Sequence, residues 1–462
     1  MTDMTGITGL TQSAQRRAVL SLASLFVLRM LGLFMVLPVL MVDGQALTEA
    51  TPELLGLAMG IYGLTQALLQ IPAGALSDRI GRKPVIVLGL LVFALGSFIA
   101  ASADSITGLI IGRALQGGGA IASAIMALVT DLTDEEHRMK AMGTIGISIG
   151  VSFSVALVLG PWLASLGGLA TIFWLTGVMA LTGIAVTLTL VPTPPARTTH
   201  REASPVISEV WLQVRNPALW PLNIGVFLIH ALMVAVFIAI PIELVQLDLS
   251  PQQHSWLYLP VLLVAFALMV PFIIVAEKKR KMKGVVLTGI GVLISTLLLM
   301  SQASAIWHWA ILLLLYFFAF NLMEASLPSW LSKIAPAGAK GSAMGIYSSM
   351  QFLGAFVGGV AGGWLASSAG SATLFLAFAV ITLLWGLLMV SAPAPLHLNS
   401  VRFPLGEALS DRQYRALNAL DGVVEVIELI DERAVYMKIN ASEFSHTDAL
   451  AIIKNTGELH GS

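Results

Sequence analysis

Four ionisable side chains interrupt long apolar stretches of this 462-residue chain: Arg29, Arg113, His230 and Glu324. Such a group at depth in hydrocarbon is expensive, and it faces a paired partner or a water-filled path. Burial favours the neutral form of a carboxyl and a nearby guanidinium favours the charged form, so an acid set between the two can load and release a proton. Glu324 lies inside an apolar stretch, away from its ends, and is the candidate proton carrier. Arg29 and Arg113 are its candidate balancing charges. His230 is a second candidate, because imidazole titrates near neutral pH. Each also has a purely structural reading: an acid near a helix end, a packed histidine, an arginine bonded to backbone carbonyls, an arginine reaching back to the surface. Around them, Tyr62, Gln66, Gln70, Gln116, Asn223, Asn321, Tyr347 and Gln351 are candidate walls of a small-molecule cavity. The same residue types also bond across helices for structural reasons.

The elements that position these groups follow from composition. Hydrophobic residues make up 57% of the chain and charged ones 11%, against about 25% charged in a soluble domain. Lipid must cover most of the surface. Crossing a bilayer takes about 20 apolar residues in a helix. Twelve such spans are expected, at 19–42, 53–76, 84–102, 106–130, 139–163, 167–191, 218–244, 255–276, 284–303, 306–331, 342–366 and 370–391. The four deep groups then fall in spans 1, 4, 7 and 10. Seventeen basic residues lie at one end of the bundle: Arg16, Arg17, Arg79, Arg82, Lys83, Arg138, Lys140, Arg197, Arg201, Arg215, Lys278, Lys279, Arg280, Lys281, Lys283, Lys333 and Lys340. The loops at the other end hold no Lys or Arg and carry Asp43, Glu49, Asp104, Glu243 and Asp248. Positive charge stays on the cytoplasmic side, which places both termini in the cytoplasm of a cell with an inner membrane. The first apolar run is too long for a cleaved signal sequence.

The chain repeats itself. Lys140-Ala141-Met142-Gly143 opens span 5 and Ser342-Ala343-Met344-Gly345 opens span 11, an offset of 202 residues between Ala141 and Ala343. Asp78 and Glu277, each followed by basic residues, are 199 apart. Residues 1–191 and 218–391 therefore read as two six-helix bundles. Residues 192–217, opening with Pro192, Pro194 and Pro195, form a linker that contains an amphipathic stretch.

Between spans 2 and 3 stands Gly74-Ala75-Leu76-Ser77-Asp78-Arg79-Ile80-Gly81-Arg82-Lys83. It resembles the signature loop of the major facilitator superfamily, and Arg113-Ala114-Leu115-Gln116-Gly117 is similar to a second motif of that family. The resemblance implies an all-α fold in which spans 1, 4, 7 and 10 line a central cavity between parallel six-helix repeats. It implies that Gly74, Asp78, Arg79, Gly81, Arg82 and Lys83 form a conformational latch. In that latch Asp78 sits near the start of span 11 and Arg82 pairs with Asp131. It links Arg113 to proton coupling. The copy at Glu277 is degenerate. Gly150, Gly160 and Pro161 in span 5 partly match an antiporter motif, with Ala164 and Ser165 in place of its last glycines; close helix packing is the alternative.

Past span 12 the composition turns polar. Residues 398–456 alternate and cap as strand, helix, strand, strand, helix, a small ferredoxin-like α+β domain. With no cysteine in the chain, copper capture by a C-x-x-C pair is excluded. Nucleotide loops, H-E-x-x-H spacing and a nucleophile elbow are lacking, so neither an enzyme nor a cofactor is expected, and a net charge of −1 gives nucleic acid no purchase. The expected function is proton-coupled export of small molecules or drugs by a monomer in the lipid bilayer. Import of a sugar or other metabolite, and sensing through the tail, are the alternatives.

Overall fold

The computed structural model describes residues 11–133, 135–193, 207–336, 339–395, 399–429, 433–440 and 443–454. Pro194 and Pro195 of the linker, the Asp431-Glu432 turn and both outer ends of 398–456 lie outside them. Among the described residues, ten helices are long and apolar enough to cross a membrane. Two of them, of 50 and 52 residues, are about 75 Å long at 1.5 Å per residue, more than twice the hydrocarbon thickness. Each is a pair of helices. The first turns at Gly167 and Gly168, where Gly168 has φ 67°, and the second at Gly370, φ 79°; a side chain there would meet the left-handed penalty. The ten thus become the twelve spans of an all-α membrane bundle.

Helix starts follow local chemistry. Thr51 accepts a hydrogen bond from the Leu54 amide, and Pro52 takes the first helical position, where its missing N–H costs nothing. Two spans differ from the sequence expectation. Span 1 is Gln12–Phe34, starting seven residues early and stopping before a turn at 35–39. Pro38 lacks an amide hydrogen and restricts the residue before it, so the run to Val42 is not one helix. Span 4 breaks into Ile106–Gly118 and Ala122–Asp131. Three consecutive glycines weaken the helix there, and Gly119 packs tightly on the Gly89 carbonyl and Phe93 of span 3. Unwound backbone at membrane depth is tolerated because it is enclosed by protein.

Large apolar side chains such as Leu68, Ile147, Leu188, Leu263 and Leu387 are well exposed. In water they would form an aggregating patch; in a bilayer they face lipid. Trp162, Trp256, Trp307 and Trp364 ring the end without basic loops, and Trp211 and Trp220 mark the other, as aromatic interface belts do.

The two halves meet unevenly. One large apolar core joins residues of both halves, including Met35–Met41, Leu55, Phe153 and Phe173 from the first. A second core, from Ala18 to Met30 with Ile121–Leu132, Ala141 and Ile145, contains residues of the first half alone. The halves are therefore closed at the acidic end and part toward the basic end. Closure rests on backbone contact between spans 2 and 11. A Cβ at Gly60 would stand 2.6 Å from the Phe356 carbonyl, and one at Gly363 2.8 Å from the Pro52 carbonyl. Gly56 meets Gly359 in the same way. Ser255 Oγ donates to the Val158 carbonyl at 2.9 Å between spans 8 and 5. The small residues Gly354 and Gly358 instead seat span 11 on Phe227 and Ala231 of span 7.

The tail forms a three-stranded antiparallel sheet in the order β1 (Asn399–Pro404), β3 (Ala434–Ile439), β2 (Val423–Leu429), with helices Asp411–Asn418 and His446–Lys454. Val435, Met437 and Ile439 of β3 face the two helices. Ala434, Tyr436 and Lys438 face the opposite way, yet they too are buried. Part of the reason is docking on the bundle: Lys438 Nζ donates to the Lys333 carbonyl at the end of span 10, 3.1 Å away.

Two outcomes test these contacts. Overpacking costs about 1–3 kcal/mol, so Gly60→Val is expected to shift the population away from closure at the acidic end by roughly tenfold. In this cysteine-free chain, maleimide labelling from that side of Leu40→Cys, fully buried in the core that joins the halves, reads the shift; unchanged labelling would mean that the glycine face does not hold the seal. Lys438→Ala removes a charged hydrogen bond worth about 1.5–3 kcal/mol and is expected to speed proteolysis between residues 391 and 399 about tenfold or more. An unchanged rate would assign docking to other contacts.

Candidate functional site

Polar groups inside the bundle collect into two clusters in the first half and one in the second. In the first, Arg29 is 2% exposed, so it does not reach back to the surface. Its Nη2 donates to the Tyr62 hydroxyl at 2.9 Å and to Gln66 Oε1. Gln66 passes the chain on to Gln70 Oε1 at 2.6 Å, and Ser123 Oγ donates to the Gln70 carbonyl. The ladder descends one face of span 2 toward the basic end because residues four apart share a helix face. Nε and Nη1 of Arg29 have no hydrogen-bond partner among the described residues.

Arg113 forms a separate knot. Its Nε donates to the Ala58 carbonyl at 3.3 Å, its Nη2 to the Met59 carbonyl at 3.5 Å and its Nη1 to Gln116 Oε1 at 3.0 Å. Gln116 in turn donates to Ser97 Oγ at 2.8 Å. Arg113 also lies over the Tyr62 ring, 5.2 Å from its centroid. Tyr62 thus offers its oxygen to one guanidinium and its π face to the other. Among the described residues neither arginine has a carboxylate partner, so the structure does not place Glu324 against Arg29 or Arg113.

The cluster of the second half is carried by spans 7, 10 and 11. His230 Nδ1 bonds the Val226 carbonyl at 3.0 Å, leaving Nε2 to Gln351 Nε2 at 2.8 Å and Glu324 Oε2 at 3.5 Å. Phe320 closes edge-on against the imidazole at 5.7 Å. Helix rise accounts for the meeting. His230 is ten residues inside span 7 (Trp220–Gln246), Glu324 ten residues from the end of span 10 (Ile306–Ile334), and Gln351 eleven inside span 11, which starts at Lys340. All three lie about 15 Å from the basic end. The Glu324 side chain is 39% exposed and that of His230 7%, so the carboxylate reaches open space from an enclosed imidazole. Buried polar atoms of Asn321, Tyr347 and Glu324 around it lack hydrogen bonds among the described residues. Asn223 lies one turn inside span 7, nearer the mouth than the centre.

At the basic end the signature loop folds on its own half. Arg82 Nε bonds Asp131 Oδ2 at 3.1 Å, Nη1 bonds Ser77 Oγ at 2.7 Å, and Nη1 also pairs with Asp78. In this conformation the ion pair of Asp78 is with Arg82, not with span 11, among the described residues. Gly81, with φ 104°, makes the turn from span 2 (Pro52–Ile80) to span 3 (Arg82–Ala101). Gly74 supplies the carbonyl that Ser77 Oγ bonds. Gly160 packs on the Met35 carbonyl and Gly150 faces Phe266 of span 8; Pro161 is buried within its helix.

The degenerate second-half copy has a pair of its own, which sequence reasoning missed. Lys333 Nζ bonds Glu277 Oε2 and Ser329 Oγ bonds Glu277 Oε1, both at 2.6 Å. Lys333 stands 202 residues after Asp131, the offset of the internal repeat, so the repeat contained the signal. The charge is reversed: span 4 ends on an acid and span 10 on a base. Ser77 stands in the signature loop, where the sequence gives it no role of its own, and Ser97 was missed because a lone serine in an apolar stretch carries no distinguishing pattern.

Comparisons with known proteins agree with this architecture. The Major Facilitator Superfamily family model matches residues 19–359 and 283–417. The inner membrane transport protein YajR of Escherichia coli K12 is 45% identical over 430 residues, 92% of this chain and 95% of that protein. The multidrug resistance protein MdtH of Aeromonas salmonicida is 27% identical, covering 75% of this chain and 86% of that one. Among solved structures, a bacterial homolog of the human lysosomal transporter Spinster, inward-facing and occupied, superposes with TM-score 0.67 at 13% identity, covering 83% of this chain and 98% of that one; this likeness concerns the fold alone. The chain belongs to the Major Facilitator Superfamily and is a multi-pass inner-membrane transporter, not an enzyme.

Proposed function

We propose that this transporter is a proton-coupled antiporter that exports small molecules by alternating access, with residues 1–191 and 218–391 as its rocking halves and the monomer as its working unit. The observation that carries the reading is the His230–Glu324–Gln351 cluster. It places a carboxylate that reaches open space within 3.5 Å of an enclosed imidazole, at mid-depth and on the side toward which the halves part. Protonation of Glu324 removes a charge that must otherwise be kept wet or paired, and so biases which end of the path is open. The unpartnered groups of Asn321 and Tyr347 beside it supply hydrogen bonds to a bound compound, with Tyr62, Gln66, Gln70 and Gln116 on the opposite wall. Arg29 and Arg113 keep that wall positive.

The concentration of basic loops at one end supports a cytoplasmic position for that end and both termini, and with it an inward-facing reading of this conformation. Asp78, Arg82 and Asp131 then act as a latch rather than a substrate site, with Arg79, Lys83 and Gly81 shaping its turn. Export rather than import is favoured by the relationship to a multidrug resistance protein.

Proton movement in proteoliposomes tests the carrier. Compound-dependent proton flux in the wild type is expected to fall to the empty-vesicle level in Glu324→Gln, and His230→Gln is expected to shift its pH dependence. Retained coupled flux in Glu324→Gln would assign the carboxylate a structural role. For the latch, removing one partner of a buried ion pair costs about 3–5 kcal/mol. Asp131→Asn and Arg82→Gln should therefore each impair transport severely, while the double variant should cost much less than the sum of the two. Simple additivity would argue against the latch.

A further inference from the structure

The two halves turn differently at the basic end, and the difference leaves charge unbalanced. In the first half, Gly81 takes the left-handed position of the turn and Arg82 is neutralised by Asp78 and Asp131. In the second half, span 8 ends at Lys278 and span 9 begins at Met282. The residues between them are Lys279, Arg280 and Lys281. Arg280 takes the left-handed conformation, φ 55°, where glycine or asparagine is usual. The nearest acid, Glu277, is already held by Lys333 and Ser329. Lys283 donates to the Val390 and Ala392 carbonyls and caps span 12, at 2.7 Å each.

Lys278, Lys279, Arg280 and Lys281 remain, all exposed, and none has an ion-pair or hydrogen-bond partner among the described residues. Four consecutive cations within roughly 11 Å of chain repel one another, and one of them sits on a strained backbone. The dipole at the end of span 8 favours the first of them but leaves the outer three. The turn ends two spanning helices, so it stands at the level of the headgroups of the leaflet on that side.

We infer that this turn is a binding surface for anionic phospholipid headgroups. The phosphodiester supplies the missing negative charge, acceptor oxygens meet the lysine and arginine donors, and the acyl chains hold the headgroup at the right depth. Cation clusters next to a membrane helix bind anionic lipid in this way. A soluble anion has the same charge without that anchor. The surface lies one residue from Glu277, so bound lipid adjoins the pair on which the docked tail also rests through Lys333.

The experiment uses the full chain, purified from mixed phosphatidylglycerol and phosphatidylcholine vesicles, with retained lipid counted by native mass spectrometry. The wild type is expected to retain phosphatidylglycerol severalfold over phosphatidylcholine, less so at high salt. The quadruple variant Lys278→Gln, Lys279→Gln, Arg280→Gln, Lys281→Gln is expected to lose that preference. A control that neutralises Arg16, Arg17, Lys140 and Arg215 is expected to keep it. Should the quadruple variant insert poorly, Lys279→Gln with Arg280→Gln is expected to halve the preference, and replacing the three lysines by arginine to preserve it. Equal retention of the two lipids by the wild type, an unchanged preference in the double variant, or equal loss in the control would overturn the proposal. Displacement of the lipid by millimolar inorganic phosphate would overturn it in favour of a soluble anion.

Discussion

Hydrocarbon offers no partner to a polar group, and the rest of this structure depends on that. Every backbone amide in the spans must be satisfied within a helix or against another part of the protein, so the chain becomes a bundle of helices. Every polar side chain within the bundle must meet another or face the path between the halves. The outside is left to leucine, isoleucine and valine, which water would not tolerate. The interior polar groups are thereby sorted to helix faces that look inward, and a site assembles before any ligand is considered.

The same constraint explains why closure at the acidic end uses glycine. Two helices can seal against each other without polar groups only by close approach, and close approach needs residues without a Cβ. Gly56, Gly60 and Gly63 of span 2 meet Phe352, Phe356, Gly359 and Gly363 of span 11. Such a seal makes and breaks without stranding a charge. The basic end is held by ion pairs instead. Arg82 and Asp131 are buried, and each offsets the other's cost of burial, whereas Glu277 and Lys333 pair where both are partly exposed.

Much of this was legible in the sequence, for physical reasons. The spans showed because lipid demands long apolar runs, and glycine and proline mark where the runs turn. The tail's strand and helix order showed because period-two and helical patterns differ. Where reading failed, several weak signals acted together. A triple glycine opened span 4 because the neighbouring Gly89 let the backbone come close, which no single-span reading reveals. The pairing of Glu277 with Lys333 was hidden by charge reversal at one position: a repeat is searched for by likeness, and the span-10 counterpart of Asp131 is a lysine. The side-chain partners of Arg29 and Arg113 depend on rotamers and on the pitch between helices, which spacing along the chain does not carry.

The charges at membrane depth are divided unequally between the halves. Among the described residues, the first half holds two guanidiniums at depth with no carboxylate beside them, and two nitrogens of Arg29 lack hydrogen-bond partners. The second half holds the carboxylate of Glu324 beside an imidazole. A buried cation with free donors is costly, and on the proposed function the Glu324 carboxylate is drawn toward that positively charged half. Rocking the halves changes the distance between them, and protonating Glu324 changes the force acting across it. On the proposed function, movement and proton occupancy meet in one electrostatic interaction, because the two groups reside on different halves. Within its own half the described partner of Glu324 is the His230 imidazole, 3.5 Å away and charged only when protonated, so the carboxylate is not held by a permanent opposite charge as Arg82 is by Asp131.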